Sequence, residues 1–269
     1  MANLPQISFI GSGNLAFHLA PALDNAGYAV GEVYSQNIKN AEALIERLYQ
    51  AETKASLDFS TSKSKVFVLC VTDDAIENVA REIVLPEQAI LIHTSGSQDL
   101  DVLSFAAIPN IGVFYPLQTF TKGKNMDFKE IPIFIESPVP EVSSFLEKMG
   151  KSISQKVHKI NSHDRLALHV AAVFASNFSN HMVTIAQDVM HQNNLSFEWL
   201  KPLIIETISK GIYLGPENAQ TGPAKRGDLK ILDRHNEFLK EDKELAQLYQ
   251  NISQHILDTY YQDDLESDT

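Results

Sequence analysis

The sequence predicts a mostly parallel α/β sheet domain followed by an all-α domain. Short apolar runs alternate with amphipathic stretches from Gln6 to about Val157, and several of the runs are nearly continuous in Val, Ile, Leu and Phe. Strands covered by helices on both faces lose their polar alternation, so such runs point to a parallel sheet. At Asn161 the alternation stops and only helical patterns remain. The boundary falls near Val157 to Ile160, giving residues 1–158 to the sheet domain and 159–269 to the helical one.

Taken in order, ISFI is the first strand, LAFHLAPALDNA the first helix, AVGEVYS the second strand and NAEALIERLYQ the second helix. KVFVLCV, AILIHT, IGVFY and IPIFIE read as further strands, with AIENVAREIV as a helix after the first of them. SPVPEVSSFLEKMGK is a last helix closed by Gly150, and SQKVHKI a final strand. The second half opens with a helix of roughly 30 residues ending at Asn193 or Asn194, then one from Phe197 to Ile212 and one from Asp228, broken near Lys243. Between the last two, LGPENAQTGPAKRGD carries two Gly-Pro dipeptides and a further glycine, which predict irregular structure.

Composition narrows the function. Of 269 residues, 44% are apolar and 21% charged, an ordinary globular balance, and the net charge of -12 lacks the positive face that nucleic acid or an anionic membrane requires. A single cysteine, Cys70, lies inside VFVLCV, so it forms no intrachain disulfide and reads as a small buried hydrophobe. No signal-like leader or long apolar span is evident, which points to the cytoplasm, and QDDLESDT at the C-terminus reads as a solvated acidic tail.

The first strand runs into Gly11-Ser12-Gly13-Asn14-Leu15-Ala16, a G-x-G-x-x-A pattern at a strand-to-helix turn. Gly11 permits the tight turn, Gly13 lets a pyrophosphate approach the backbone, and Ala16 lets helix and strand pack closely. Free N–H groups at the helix start then receive the phosphates of a dinucleotide. At the end of the second strand no acid is available for the ribose of NAD; Ser35, Gln36 and Asn37, with Lys39 nearby, suit the 2′-phosphate of NADP, though the same residues also read as a turn. Val71-Thr72 and Thr94-Ser95-Gly96 lie in loops after strands, at the edge where such sheets bind ligands. Asp73 reads as the N-cap of the following helix. Ser95 reads either as a hydrogen-bond donor near the nicotinamide or as a turn serine.

On a wheel of about 100° per residue, Arg165, His169, Ser176, Asn180 and Thr184 share one stripe of the long helix, with Asn177 at its border and Val173 interrupting it. The stripe can face a ligand cleft or a partner subunit. Hydride transfer to a carbonyl or imine requires a proton donor, for which His169 is suited because histidine ordinarily titrates near neutrality. Asn177 and Ser176 can orient substrate, and Arg226 reads either as a bidentate grip on a carboxylate or phosphate or as a solvated loop arginine. Asp228 reads as the N-cap of the helix that follows. No lysine occurs between Lys159 and Lys201, and Val173 stands four residues before Asn177, which disfavours the lysine-dependent alcohol chemistry of hydroxyacid dehydrogenases.

FIGSGNLA, LCVTDDAI, IHTSGS, YPLQTF, LHVAAVFASNFSNHM, PLIIET and AQTGPAKRGD, in this order, make the chain resemble a bacterial oxidoreductase family that joins a Rossmann-like NADP-binding domain to a C-terminal helical domain of unknown function. That family is similar to pyrroline-5-carboxylate reductase, to 6-phosphogluconate dehydrogenase-type enzymes and, through the Pro-Leu motif, to prephenate dehydrogenase. The resemblance implies NADP and dimerisation through the helical domain. It marks Gly11, Gly13 and Ala16 for the cofactor, and His169, Asn177, Thr221, Gly222, Arg226 and Asp228 as signature positions. Many relatives have a histidine where this chain has Tyr115, which shifts proton donation toward His169 or water. The expected activity is NADP-dependent hydride transfer to or from a C=N or C=O bond of a small anionic substrate in a homodimer. The alternative is an NADP-binding sensor without catalysis.

Overall fold

The computed structural model describes residues 4–261. The acidic segment expected to be a tail, residues 262–269, lies outside them. The chain divides into two compact units, Met1–His181 and Met182–Thr269.

The first unit is built on an eight-stranded sheet in the order β3-β2-β1-β4-β5-β6-β7-β8. Its strands are β1 (Ile7–Ile10), β2 (Val30–Tyr34), β3 (Glu52–Lys54), β4 (Val66–Leu69), β5 (Ile90–His93), β6 (Ile111–Pro116), β7 (Ile133–Glu136) and β8 (Val157–Lys159). Every neighbouring pair is parallel except β6 with β7. The Rossmann-like sheet inferred from the apolar runs is therefore present. All residues of β1, β4 and β6 are buried, as unbroken apolar runs require. Along β4, Val66 and Val68 pack in one core cluster while Phe67 and Leu69 pack in the other, because successive side chains point to opposite faces.

Helices α1 (Asn14–Asn25), α2 (Ile38–Ile45), α3 (Asp73–Glu82) and α4 (Pro140–Lys151) complete the covering layers. Two details depart from the sequence reading. The second helix stops at Ile45 and the chain then adds the short edge strand β3, too polar to read as a strand. The cap of α3 is Thr72, while Asp73 lies in the first turn, where its carboxylate suits the helix dipole and accepts the Ser97 hydroxyl.

The long helix appears as α5 (Ser162–Ala172), a π segment at Val173–Phe178 and α6 (Ser179–Gln192). Asn161 caps it, accepting from Asp164 N at 2.9 Å. The first unit extends into this helix because Arg165, on its first turn, is fully buried. Its Nη1 donates to Ser95 O at 3.0 Å and Gln98 O at 2.8 Å, and its Nη2 to Glu136 Oε2 at 3.1 Å and Ser162 Oγ at 2.9 Å. Only a planar fork of donors reaches two carbonyls and a carboxylate at once.

The second unit contains α7 (Lys201–Leu214), α8 (Pro216–Ala219), α9 (Leu229–Leu239) and α10 (Lys243–Ile256) besides the end of α6. The break expected near Lys243 falls at 240–242. LGPENAQTGPAKRGD is not wholly irregular: Pro216, at a first helical position where its missing N–H costs nothing, starts the single turn α8.

Because removing the guanidinium leaves two loop carbonyls without their donor and the Glu136 carboxylate without its counter-charge, Arg165→Met is expected to cost about 3–5 kcal/mol of stability. Urea denaturation of the two proteins measures it. A loss below about 1 kcal/mol would show that the guanidinium is not the group holding α5 to the sheet.

Candidate functional site: a dinucleotide cleft and a tyrosine–histidine pair

Gly11 follows β1 at φ +102, and a Cβ there would lie 2.3 Å from the Cys70 carbonyl oxygen. Backbone on the other side cannot yield, so only glycine fits. Gly13 differs. It caps α1 with extended backbone, and a Cβ there would meet nothing closer than Cys70 O at 3.8 Å, so the protein's own packing does not require a glycine. The open space before it, and a helix start with no side-chain cap, suit a phosphate approaching the backbone. Asn14 and Leu15 begin the helix, and Ala16 is fully buried, consistent with close packing on the sheet.

A cleft of about 610 Å³ adjoins this turn, and its walls include Ser12, Ser35, Gln36, Val71 and Thr72. Ser12 Oγ donates to Ser35 Oγ at 2.9 Å, linking the glycine turn to the end of β2. Asn37 does not line the cleft; it caps α2, with Oδ1 accepting from Lys39 N at 3.1 Å. Asn40 lines the cleft instead, one turn into α2. Two charged residues also line it, Glu82 and Lys122, which the sequence reading missed. Thr94 is buried and donates to Leu69 O at 3.0 Å, joining the ends of β5 and β4. These features fit a dinucleotide: a glycine turn, unbonded helix N–H groups and a polar cleft beyond the β2 end.

The second cluster stands on the loop after β5. Tyr115, near the end of β6, has its hydroxyl 3.1 Å from His169 Nδ1 on α5, with ring centroids 6.0 Å apart. Gly96 lies against both rings: a Cβ there would be 2.5 Å from His169 Nδ1 and 2.7 Å from Tyr115 Cζ. Burial pushes the Tyr115 phenol above its ordinary pKa, so it stays protonated through the working pH range. Arg165, one turn before His169, holds the loop that carries Gly96. Ser95 contributes structure rather than a free hydroxyl: its Oγ accepts from Ser97 N at 3.1 Å and Gln98 N at 3.0 Å, as a turn serine does. Beneath it, fully buried His93 accepts from Ser95 N at 3.1 Å through Nδ1, which leaves its proton on Nε2, and Nε2 has no partner among the described residues. Burial, followed by the charge of Arg165, pushes the His93 pKa down to about 3.

The polar stripe does not continue as drawn on an ideal wheel. The π segment takes five-residue steps, which turns the residues after it away from the register of Arg165 and His169. Ser176 is half-buried and Asn177 exposed within that segment. Asn180 and Thr184 follow in α6. Arg226 lies in the second unit, where Asp228 holds it: Nε donates to Oδ2 at 3.1 Å and Nη2 at 3.0 Å. Asp228 therefore stands at the cap of α9 without bonding the helix N–H groups, its carboxylate being turned to Arg226. Thr221 and Gly222 precede them, Gly222 at φ +106.

Residues 6–96 match the family model described as NADP oxidoreductase coenzyme F420-dependent, and residues 131–256 match a domain of unknown function, DUF2520. Among solved structures, BF3122 of Bacteroides fragilis, assigned as an NADP oxidoreductase, is 36% identical with a TM-score of 0.86, over 95% of this chain and 99% of its own. A reductive aminase from Aspergillus terreus, in complex with NADPH and ethyl-5-oxohexanoate, shares the fold at 16% identity and a TM-score of 0.70, over 94% and 93% of the two chains. An imine reductase from Myxococcus stipitatus in complex with NADP+ does so at 12% and 0.66, over 94% and 92%. None of the curated proteins matches the chain.

His93 generates a pH dependence of stability. Its folded pKa of about 3 lies below the ordinary 6.5, so between these values the unfolded chain binds the extra proton. The contribution is complete above about pH 6.5 and is lost as pH falls toward 3, by at most about 1.4 kcal/mol per pH unit. Urea denaturation from pH 7 to 5 should show a steeper fall for the parent protein than for His93→Gln. Equal slopes would contradict the buried neutral imidazole.

Proposed function

The chain belongs to the NADP oxidoreductase family whose members carry the DUF2520 domain, and on that premise we propose an NADPH-dependent reductase acting on a C=N or C=O bond. The substrate is a small anion, the working form a homodimer and the location the cytoplasm. The observation that carries the catalytic reading is the Tyr115–His169 hydrogen bond packed against Gly96, in the same compact unit as the Gly11–Gly13 turn.

The turn at Gly11 to Gly13 and the first N–H groups of α1 would hold the pyrophosphate, with Ser35 and Gln36 toward the adenosine end. When bound, the nicotinamide supplies the hydride. The protein supplies the proton. His169 in its imidazolium form keeps Nδ1–H directed at the Tyr115 oxygen, which fixes the ring and leaves Nε2–H to protonate the nitrogen or oxygen that gains negative charge. The ring returns neutral and takes a new proton from water. The reductive aminase and imine reductase of the same fold support the C=N class. The anionic class comes from the family resemblance, in which Arg226 is a signature position; within its own unit its exposed guanidinium keeps donors beyond those that Asp228 occupies.

The dimer is supported by α7, which buries none of its residues while Leu203, Ile205, Ile208, Ile212 and Tyr213 stand exposed along it. Exposed apolar surface of this kind is characteristic of a subunit interface. Among the described residues no helix is long and apolar enough to cross a membrane.

Fluorescence titration should give NADPH binding tighter than NADH, and a panel of cyclic imines and keto acids should include a substrate that consumes NADPH. Binding of neither nucleotide at millimolar concentration would overturn the cofactor reading. Ile208→Asp with Ile212→Asp should convert a dimer to monomer in sedimentation velocity, and a parent chain that sediments as a monomer would contradict the homodimer.

A further inference from the structure

The β2 end that should meet the adenosine ribose presents Ser35 and Gln36 but no cation, and Lys39 does not line the cleft. A 2′-phosphate carries close to two negative charges, and neutral donors alone meet it poorly in a chain of net charge -12. The cation comes from elsewhere. Among the described residues Lys122, on the loop between β6 and β7, is the sole basic residue lining the cleft with Ser35, Gln36 and Asn40.

Two observations show that this lysine is placed rather than incidental. The preceding residue is tied to α1: buried His18 has Nε2 3.0 Å from Thr121 O, and Phe120 lies between His18 and Phe128 at ring separations of 5.8 Å each. Phe17, on the first turns of α1, receives the Lys122 ammonium 5.6 Å from its ring centroid. The ring, which also carries the Arg47 guanidinium 3.9 Å from its centroid, holds the ammonium without neutralising its charge as a carboxylate would. Among the described residues no carboxylate pairs with Lys122. Among the described residues the one acid of the cleft wall, Glu82, belongs to α3.

We propose that Lys122 is the residue that selects NADP over NAD, by binding the 2′-phosphate on the adenosine ribose. This rests on the dinucleotide reading above and deepens it. A lysine serves here as a point charge that accepts several phosphate orientations, which explains why an arginine fork at the β2 end is dispensable.

Calorimetric titration with 2′,5′-ADP, 5′-ADP, NADPH and NADH tests it without any substrate. Lys122→Met should weaken 2′,5′-ADP and NADPH about tenfold or more, the range of a lost charge-assisted hydrogen bond, and leave 5′-ADP and NADH within about twofold. Lys122→Arg should keep most of the preference. Thermal unfolding of each variant establishes that the fold is retained, since the side chain is exposed. Equal weakening of 2′,5′-ADP and 5′-ADP would assign Lys122 to the pyrophosphate and overturn the proposal, as would unchanged binding of all four. A parent chain that binds 5′-ADP and NADH as well as their phosphorylated partners leaves the dinucleotide reading standing and removes this one. A parent chain that binds none of the probes removes both.

Discussion

A guanidinium buried where α5 meets the sheet is the constraint on which the Tyr115–His169 edge depends. Arg165 joins three parts of the chain far apart in sequence: the β5 loop through Ser95 and Gln98, the end of β7 through Glu136, and the start of its own helix through Ser162. One turn later on that helix, His169 reaches Tyr115 at the end of β6. With α5 fixed by Arg165 and the β5 loop held by the same donors, the closeness of Gly96 to both rings follows. Burying a charge this completely is costly, and four hydrogen bonds, one of them an ion pair with Glu136, offset the cost while Nε keeps no partner among the described residues.

The same edge shows how one loop separates two tasks. His93 is kept neutral by burial and spends its Nδ1 on the Ser95 N–H, whereas His169 lies nearer the surface with Nδ1 toward a phenol. Two histidines close in space thus differ in what they can do: the first is a structural acceptor, the second retains a nitrogen for proton transfer. Cys70 at the neighbouring strand end is likewise removed from chemistry, its thiol pushed up to about 12 by burial.

Much of this architecture is legible in the sequence. Unbroken apolar runs gave the parallel strands, since a strand covered on both faces has no polar side to alternate with. Gly11, Gly13 and Ala16 marked the turn from β1 into α1, and each glycine has a separate reason there, steric at Gly11 and open space at Gly13. What escaped was set by tertiary contact. Strand β3 is polar and exists through pairing with β2. Asn37 and Asn40 sit three residues apart, and only the position of the α2 cap decides which one faces the cleft. Lys122 arrives from a loop tied by His18 to another helix, a contact that local pattern does not encode. A uniform wheel also misplaced the residues beyond His169, because five-residue steps in the π segment change the register without any proline or glycine to announce them.

The central claim is that His169, aimed by Tyr115, delivers the proton. Its most direct test is the pH dependence of kcat for reduction by NADPH in the parent protein and in His169→Gln. The account predicts a rate that falls about tenfold per pH unit above one pKa in the parent, and a variant slower by about 100-fold whose profile has lost that limb. A variant within about tenfold of the parent, with the same pH profile, would contradict it.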